Sequence, residues 1–430
     1  MRLELTNVGK IRKANVELNG VTVIAGENNT GKSTIGKMLF CVFHSFYRIE
    51  EQIREERQMA IARVLDNYYL ETAHGFLIRG FDTTNFARHI VENRQLFLGD
   101  SRVLRKEIED FYVNVDRYYK DHIKYDSIER LADKIYGFLV VEDVEIRKVI
   151  LRKRLEAEFG MKIGYLNRPD EKTKVNLNIK NGNICFEIAN NEDVVIKEQM
   201  SLVKEILYID NPFVLDNLNP KMPMDLINEF EHNGDLLNKI IWRGSKAEFG
   251  VVDELVGRQK LKNIFETMDG ICDGDLMLDE GGSFVYKTHK LKESLGIMNL
   301  STGMKSFVIL RKLLQNGSID ENGVIILDEP EIHLHPQWQL KFAELIVLIQ
   351  REFGVNILLN THSPYFLNAI EVYSEKYGIE KKCKYYLTNE ENGRVDILDV
   401  TEDRESIYEK LARPLQELEN LEYRNGNTLR

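Results

Sequence analysis

Cysteine is scarce in this sequence of 430 residues, and its four copies form no motif. They stand far apart, without a CxxC pair or the Cys/His spacing of zinc sites. This arrangement favours neither a disulfide framework nor a structural zinc site, and a reducing compartment is the simplest interpretation. The four residues are Cys41, Cys185, Cys272 and Cys383.

Long apolar runs are missing as well. No stretch reaches the roughly 18 consecutive apolar residues that a membrane-spanning helix requires. The N-terminus opens with an alternating strand pattern instead of a signal peptide. We therefore expect a cytoplasmic protein with no membrane partner. With 8 prolines, 43% hydrophobic and 30% charged residues, the composition is typical of an ordered, helix-rich globular chain.

An excess of positive charge is also absent. The formal net charge is -11, which argues against nucleic-acid binding over the whole surface, because phosphate contacts need clustered lysine and arginine. One basic cluster, Arg147-Lys148 with Arg152-Lys153-Arg154, leaves DNA open as a locally bound partner. Runs of this kind are more often solvated helix faces.

The pattern of apolar residues divides the chain into four predicted parts. Strand patterns up to Ala25 are followed by helical spacing from Lys32 to about Phe159. The helical stretch has balanced charges and no lasting heptad, which favours a short lobe over an extended coiled-coil arm. Strands then return, with a hairpin signal at Asn181-Gly182. The parts are residues 1-45, a helical insertion at 46-164, a β lobe with a helical subdomain at 165-298, and 299-430.

Strands and helices alternate from Ser301 onward, which indicates a parallel sheet core in an α/β fold. Two short, continuous apolar runs in this part are typical of strands that are buried on both faces. The predicted elements are a helix from Ser301 to about Leu314, a strand at Gly323-Leu327, a helix at Gln337-Glu352, a strand at Val355-Leu359 and a final helix from about Arg404 to Tyr423.

A glycine-rich loop joins the first buried strand to the first helix. The segment from Gly26 to Ser33 reads GENNTGKS and matches the phosphate-binding loop in full, in the required strand-loop-helix context. Its glycines let backbone N–H groups face phosphate oxygens. We expect Lys32 to reach the β- and γ-phosphates and the Ser33 hydroxyl to bind Mg²⁺. The predicted nucleotide-binding residues here are Gly26, Asn28, Asn29, Thr30, Gly31, Lys32, Ser33 and Thr34.

Two adjacent carboxylates follow the apolar run Val324-Leu327, where the carboxyl end of a parallel strand is expected. Asp328 is placed to hold Mg²⁺ directly or through water, and Glu329 suits a base for the attacking water. Another buried run ends in Thr361-His362, at the same predicted edge of the sheet. A lone histidine there is usually structural, but the other motifs favour a functional role for His362.

A third motif, Asn299-Leu-Ser-Thr-Gly-Met-Lys-Ser306, begins a helix that Ser301 can cap. The positive end of such a helix can face an anion. Farther on, the His333-Leu-His335 pair permits a metal interpretation. No convincing third ligand lies nearby in sequence, so packing or contacts to a second chain are favoured.

Together these motifs resemble soluble ABC-type ATPases of the RecF and structural-maintenance-of-chromosomes (SMC) class. The resemblance is closest to ATPases of the overcoming-lysogenization-defect (OLD) type from bacterial anti-phage systems such as Septu, PARIS and retron modules. It implies an ABC-type P-loop ATPase head, a mixed sheet with a parallel core and an antiparallel β lobe, formed by both ends of the chain with a helical insertion. Implied ligands are ATP and Mg²⁺.

The same resemblance implies roles across two copies of the chain. Ser301 and Gly303 belong to the family signature, with Thr302 in place of its first glycine, and would meet the γ-phosphate held by the opposite protomer. A homodimer, with higher oligomers left open, would therefore have two composite sites. Residues 331-336 would cross the dimer axis, and His362 would be the switch histidine. The family's glutamine loop is left unassigned among Gln52, Gln58 and Gln95.

The leading hypothesis is an ATP-driven dimeric switch that controls a separate effector such as a nuclease, because the residues after His362 are too few for the nuclease domain of OLD proteins. The alternative is a DNA-repair or chromosome-associated ATPase that grips DNA itself. A transporter subunit is disfavoured by the helical insertion. A non-hydrolysing scaffold is disfavoured because Lys32, Ser33, Asp328 and Glu329 are all present.

Overall fold

The structure is a computed structural model, and it describes residues 1–72, 82–115, 125–160, 162–165, 171–180, 182–190, 193–218, 228, 230–242, 251–413 and 417–418. The chain divides into two compact units. The head unit comprises Met1–Tyr47 and Leu151–Arg430, and the helical unit comprises Arg48–Ile150. Within the described ranges, no helix is both long and apolar enough to cross a membrane.

The elements follow one another in two runs. Up to residue 160 they are β1 (Arg2–Val8), β2 (Ile11–Glu17), β3 (Val21–Ala25), α1 (Lys32–Phe46), α2 (Ile49–Thr72), α3 (Thr83–Glu92), α4 (Arg94–Gly99), α5 (Ser101–Val115), α6 (Tyr125–Val140) and α7 (Asp143–Phe159). After it they are β4 (Thr173–Ile179), β5 (Gly182–Ala189), β6 (Asp193–Glu198), β7 (Ile206–Ile209), α8 (His232–Trp242), α9 (Val251–Met268), β8 (Asp275–Leu278), β9 (Phe284–Lys287), β10 (Leu295–Gly296), α10 (Thr302–Gln315), β11 (Val324–Asp328), α11 (Pro336–Phe353), β12 (Asn356–Thr361), α12 (Pro364–Lys376), β13 (Lys384–Glu391) and β14 (Arg394–Asp399).

One mixed sheet dominates the head unit, with the strand order β6-β5-β4-β1-β2-β14-β13-β3-β12-β11-β7. The strands β13, β3, β12, β11 and β7 are parallel neighbours. The strands β2, β1, β4, β5 and β6 form an antiparallel lobe, and β14 joins the two blocks. A separate antiparallel sheet contains β8, β9 and β10. The predicted head, with its parallel core and antiparallel β lobe, is confirmed.

Alternate residues of the parallel strands enter two different cores. Val23 and Ile325 pack with residues of α8 to α12 on one face of the sheet. Ile24 and Ile326 pack with α1 and the antiparallel lobe on the other face. Because both faces are covered, apolar residues are favoured at every position of these strands. This explains the unbroken apolar run of β3, all of which is buried.

The helical unit has its own core. Apolar residues from α2, α3, α4, α5 and α6 meet in one cluster, so this unit buries its own amphipathic helix faces. Its helices are 6 to 24 residues long, in agreement with the predicted short lobe. The fully buried members are Ile61, Leu65, Ala87, Ile90, Phe97, Leu104, Ile108, Ile135 and Leu139.

The helical spacing that begins at Lys32 is interrupted in the structure. Between α1 and α2, Tyr47 has extended backbone with a ψ of 117° and Arg48 has a φ of 43°. Tyr47 pairs with Leu202 in a parallel bridge, and the Leu202 N–H donates to the Phe46 carbonyl at 2.7 Å. Tertiary pairing therefore outweighs the local helical preference at this point.

The helical unit lies inside the predicted insertion at 46-164. Beyond Ile150, α7 belongs to the head unit, where Leu151 and Leu155 enter a core. The four-part division stays a prediction. The predicted turn residue Asn181 lies outside the described residues, as does the end of the predicted C-terminal helix, of which residues 405–413 are helical.

Candidate nucleotide-binding site

The parallel strands deliver the predicted site residues to one edge of the sheet. The loop from Gly26 follows β3, Asp328 ends β11, and His362 follows β12, which lies between the other two strands. Because parallel neighbours end at the same edge, residues more than 300 positions apart meet there. This group of four residues, the strand-edge cluster, consists of Lys32, Asp328, Glu329 and His362.

The loop after β3 has the backbone that its glycines predict. Gly26 has a φ of 151°, Asn29 of 62° and Gly31 of 82°, the left-handed region that glycine enters most readily. A Cβ on Gly26 would lie 1.9 Å from Thr388 Oγ1, so no side chain fits there. The Thr30 hydroxyl donates to the Glu27 carbonyl at 2.7 Å and closes the loop. Asn28 and Asn29 are exposed.

Lys32 begins α1 and folds back over this loop. Its Nζ donates to the carbonyls of Gly26 at 3.2 Å and Glu27 at 2.8 Å. It also lies 3.9 Å from Glu329 Oε1 and 3.5 Å from His362 Nδ1. Burial lowers the pKa of Lys32, and the carboxylates around it oppose that shift. The result is a buried cation at the start of a helix, where an anion is stabilised.

Glu329 and His362 form a hydrogen-bonded pair. His362 Nδ1 lies beside the Lys32 ammonium, and the ring orientation lets Nε2–H donate to Glu329 Oε1. This bond is the main cause that lowers the pKa of Glu329. Glu329 has a φ of 50°, a sparsely populated conformation that is concentrated at functional sites. Its backbone N–H donates to the Asn360 carbonyl at 2.9 Å, which holds that conformation.

Asp328 is buried and is held by two donors. The Tyr208 hydroxyl donates to Oδ2 at 2.9 Å, and the Asn360 amide donates to Oδ1 at 2.8 Å. The same hydroxyl lies 3.5 Å from the backbone oxygen of Ser33. Both predicted magnesium-binding residues are therefore close to one tyrosine. Thr34 follows Ser33 in the first turn of α1.

Glu331 is a third acidic residue at this edge, and sequence reasoning gave it no role of its own in a single chain. It is 4% exposed, accepts a hydrogen bond from the Thr361 hydroxyl, and accepts another from the His362 N–H at 3.1 Å. Burial raises the pKa of Glu331. These two hydrogen bonds connect the end of β12 to the segment after β11. They therefore fix the position of the His362 backbone.

The signature residues lie at the start of α10. Ser301 is the N-cap, and its exposed hydroxyl accepts from the Met304 N–H at 3.4 Å. Gly303 is buried, and a Cβ there would lie 2.8 Å from the His333 carbonyl oxygen. Packing within a single chain is therefore enough to explain glycine at this position. In the described ranges, neither Ser301 nor Gly303 is part of the strand-edge cluster.

The other predicted polar residues take structural positions. His335 caps α11 by accepting from the Gln337 N–H at 3.4 Å, and the His333 ring lies 5.6 Å from that of Phe213. No group of three or more His, Cys, Asp or Glu in the described part of the chain is placed to hold a metal by itself. Gln52 and Gln58 lie in α2, and Gln95 lies in α4.

A cleft of about 620 Å³ opens beside the cluster. The C-terminal helix at residues 405–413 forms one wall, where the Lys410 ammonium donates to the Thr388 carbonyl at 2.6 Å. The sequence assigned no role to this wall. The residues that line the cleft are Gly26, Glu27, Asn28, Glu329, Ile332, His362, Lys410, Leu411, Arg413 and Glu417.

The residues present fit a nucleoside triphosphate with Mg²⁺. A glycine cradle closed to any Cβ, a buried ammonium and a helix N-terminus are what phosphate groups require. The Asp328 carboxylate and the Ser33 hydroxyl are the oxygen ligands that Mg²⁺ prefers, and this cation normally completes its shell with phosphate and water. Because phosphate and water supply the other oxygens, such a site needs no all-protein cage for the cation.

Known proteins resemble this chain in sequence and structure. The Retron Vc95 probable ATPase of Vibrio cholerae serotype O1 biovar El Tor is 21% identical over 393 residues, which cover 85% of this chain and 69% of that protein. Septu protein PtuA of Bacillus thuringiensis is 26% identical over 185 residues, 40% of this chain and 44% of that protein. An SMC head bound to the C-winged helix domain of ScpA aligns with 93% of this chain and 97% of that chain, at 13% identity and a TM-score of 0.45.

The predicted similarity to retron and Septu ATPases is confirmed by these relatives. A family model described as AAA ATPase domain matches residues 1–367. The matched region contains every residue that the sequence predicted for the site. The chain therefore belongs to the AAA ATPase domain family.

Proposed function

We propose that the chain is a Mg²⁺-dependent ATP hydrolase whose strand-edge cluster performs the chemistry. The observation that carries this proposal is the contact between Lys32, Glu329 and His362, which are brought to one point from three neighbouring strands. A cation for phosphate, a carboxylate for water and a histidine that orients the carboxylate are the groups that phosphoryl transfer to water needs.

Each residue of the cluster has one task in this proposal. Backbone N–H groups of the loop and the Lys32 ammonium bind the phosphates. Ser33 and Asp328 would hold Mg²⁺, which when bound supplies positive charge at the phosphates. Glu329 accepts the proton of the attacking water, and its lowered pKa keeps it ionised at neutral pH. His362 orients Glu329 through its Nε2 proton.

We further propose that two copies complete the site. The exposed start of α10, with Ser301 as its cap, offers a positive helix end for a phosphate held by the other copy. Ile332 is 60% exposed and Tyr365 is 74% exposed, close in sequence to Glu329 and His362 respectively. Apolar residues exposed beside a polar site are what a covering partner would bury. Both features support a nucleotide-dependent homodimer.

The proposed biological role is a switch in a defence complex, in which nucleotide state controls a separate effector such as a nuclease. Support comes from the retron and Septu relatives. In this proposal the helical unit carries the output to the effector.

The DNA-binding alternative has less support. In the basic cluster, Arg147 pairs with Glu50 at 2.7 Å, and Lys148 with Glu145 at 2.6 Å. Arg154 is 6% exposed and covers the ring of Phe230. These charges are largely engaged within the chain, so few remain to release counterions from DNA.

The test is to measure ATP turnover and the mass in solution, with and without Mg²⁺ and ATP, for the wild type and Glu329→Gln. Loss of a general base typically lowers the rate by about 10²- to 10⁴-fold, and we expect the variant to accumulate as an ATP-bound dimer. Glu380→Gln, at an exposed position of the head unit, is the matched control and should behave as wild type. Turnover by an unchanging monomer, with Glu329 dispensable, would refute the proposal.

A further inference from the structure

A fully buried tyrosine lies behind the predicted magnesium site. Tyr208 is in β7, the neighbour of β11, and is 1% exposed. Its hydroxyl donates to Asp328 Oδ2 at 2.9 Å. The hydroxyl is the one polar group of a tyrosine side chain, and here its shorter contact is to this carboxylate and its longer one, at 3.5 Å, is to the Ser33 carbonyl oxygen.

The ring of Tyr208 is held in turn by His232. The two rings are stacked at 4.4 Å with an interplanar angle of 25°. His232 Nε2 lies 2.9 Å from Asp210 Oδ2, and Nδ1 lies 2.8 Å from Glu158 Oε1. With a carboxylate at each nitrogen, the imidazole cannot rotate without losing a bond. A chain of contacts therefore runs from Glu158 in α7 to Asp328.

The packing of α1 leaves room for the Tyr208 hydroxyl. Gly36 is in the middle of α1, where glycine is less favourable for helix formation than alanine. A Cβ there would lie 3.2 Å from the Tyr208 hydroxyl oxygen and 3.0 Å from Ile326 Cγ2. Glycine at this position is therefore explained by the close packing of α1 against both Ile326 and Tyr208, which leaves room for the hydroxyl that donates to Asp328.

We propose that Tyr208 is a positioning residue of the magnesium site, which orients Asp328 through its hydroxyl while His232, clamped by Asp210 and Glu158, fixes its ring. This inference rests on the proposed function. With one donor on each oxygen of Asp328, from Tyr208 and Asn360, the carboxylate cannot rotate without losing one of these hydrogen bonds. Groups that orient a metal ligand typically change metal affinity by about 10- to 100-fold when removed.

The experiment measures the affinity of a fluorescent, non-hydrolysable ATP analogue twice, in Mg²⁺ and in EDTA, and uses the ratio of the two values. Tyr208→Phe removes only the hydroxyl and keeps the ring. We expect the gain in affinity from Mg²⁺ to fall by about 10-fold, with affinity in EDTA unchanged. Asp328→Asn provides the reference for a lost ligand.

Tyr386→Phe is the matched control, because Tyr386 is equally buried and its hydroxyl accepts from the Glu17 N–H at 2.8 Å, away from the cluster. It should keep the wild-type ratio. Gly36→Ala should lower the ratio in the same direction as Tyr208→Phe, because it crowds the hydroxyl without removing it. This second variant keeps the test decisive if Tyr208→Phe does not fold.

Two results would overturn the positioning role. In one, Tyr208→Phe and Gly36→Ala keep the wild-type ratio while Asp328→Asn loses it. In the other, Tyr208→Phe weakens binding equally in Mg²⁺ and EDTA, which indicates packing alone. Wild type that binds no analogue under either condition would instead refute the proposed function and this inference with it.

Discussion

The strand-edge cluster and the start of α10 differ in how much of their surroundings one chain supplies. In the cluster, Lys32, Asp328 and His362 each bond to a group from another strand or loop. At the start of α10, the bond that the exposed Ser301 hydroxyl makes among the described residues is to the Met304 N–H, in the first turn of its own helix. A single chain therefore preorganises the first region, whereas the second is exposed, as the proposed homodimer requires.

The largest effect is expected on ATP affinity, when the positive charge of Lys32 is removed from the strand-edge cluster. Lys32→Met removes the buried ammonium, and charge-assisted hydrogen bonds of this kind contribute roughly 1.5–3 kcal/mol each. With several such bonds to phosphate, we expect ATP affinity to fall by at least about 100-fold. Equilibrium binding by calorimetry measures this.

Lys305→Met is the matched control for that variant, because Lys305 is equally buried but pairs with Asp216 beside α10. It should lower stability and leave the ATP affinity of a single chain near wild type. Equal losses of affinity in the two variants would show that the two regions are not separable.

The next effect concerns α10. Ser301→Arg places a bulky cation at the helix N-terminus, where it opposes the helix dipole and blocks close approach of a second chain. We expect turnover to fall by about 100-fold, the size reported for losing one preorganised donor to the transition state. ATP affinity of the isolated chain should hardly change.

Ser301→Ala is the control that distinguishes loss of the helix cap from blocked approach of a second chain. It removes the cap without adding bulk or charge, and loss of an N-cap costs only about 1 kcal/mol of stability. It should retain most of its turnover. Normal turnover and ATP-dependent mass in Ser301→Arg would contradict the assignment of α10 to a composite site.

The sequence predicted those parts of the site that consist of residues consecutive in the chain. The loop from Gly26 to Ser33 and the pair Asp328-Glu329 each carry their context of strand and helix, so their positions could be predicted. Tyr208 could not, because in the run Ile206–Ile209 it looks like any residue of a buried strand. Its function depends on a hydrogen bond to a residue 120 positions away.

Two other residues show the same limit. Gly303 matched a signature, but its burial against the His333 carbonyl appears only when the chain is folded. Asp210 received no role, because its partner His232 is 22 positions further along the chain. Sequence patterns report secondary structure and local motifs, whereas pairing across the sheet is set by topology.

A smaller loss of turnover should follow from removing Glu331. Glu331→Ala deletes the acceptor for the Thr361 hydroxyl and the His362 N–H, so His362 loses its fixed position beside Glu329. We expect kcat to fall by about 10-fold, as for other groups that act through orientation, with KM changed much less. Glu331→Gln keeps an acceptor oxygen and should recover part of the rate, whereas a change in KM alone would contradict this role.

The smallest effect on turnover is expected for the clamp behind the cluster, which is His232 with Asp210 and Glu158, because it acts on stability. Burial alone would lower the pKa of His232, but hydrogen bonds to Asp210 and Glu158 raise it to about 9. The folded-state pKa is above the ordinary value of 6.5, so the stabilisation is fully present below pH 6.5 and is lost as the pH rises through 9. The linkage relation limits it to about 3 kcal/mol.

Urea unfolding at pH 6 and at pH 9.5 measures this stabilisation. The free energy of unfolding of wild type should decrease between the two pH values, and that of His232→Gln should decrease less, because its amide does not titrate. In His232→Gln, Lys37, whose Nζ lies 3.7 Å from Glu158 Oε2, compensates only part of the positive charge that the imidazolium of His232 supplied. If wild type and variant lose stability equally over this interval, Asp210 and Glu158 do not hold His232 as a protonated imidazole, and the stacked ring alone positions Tyr208 from that side.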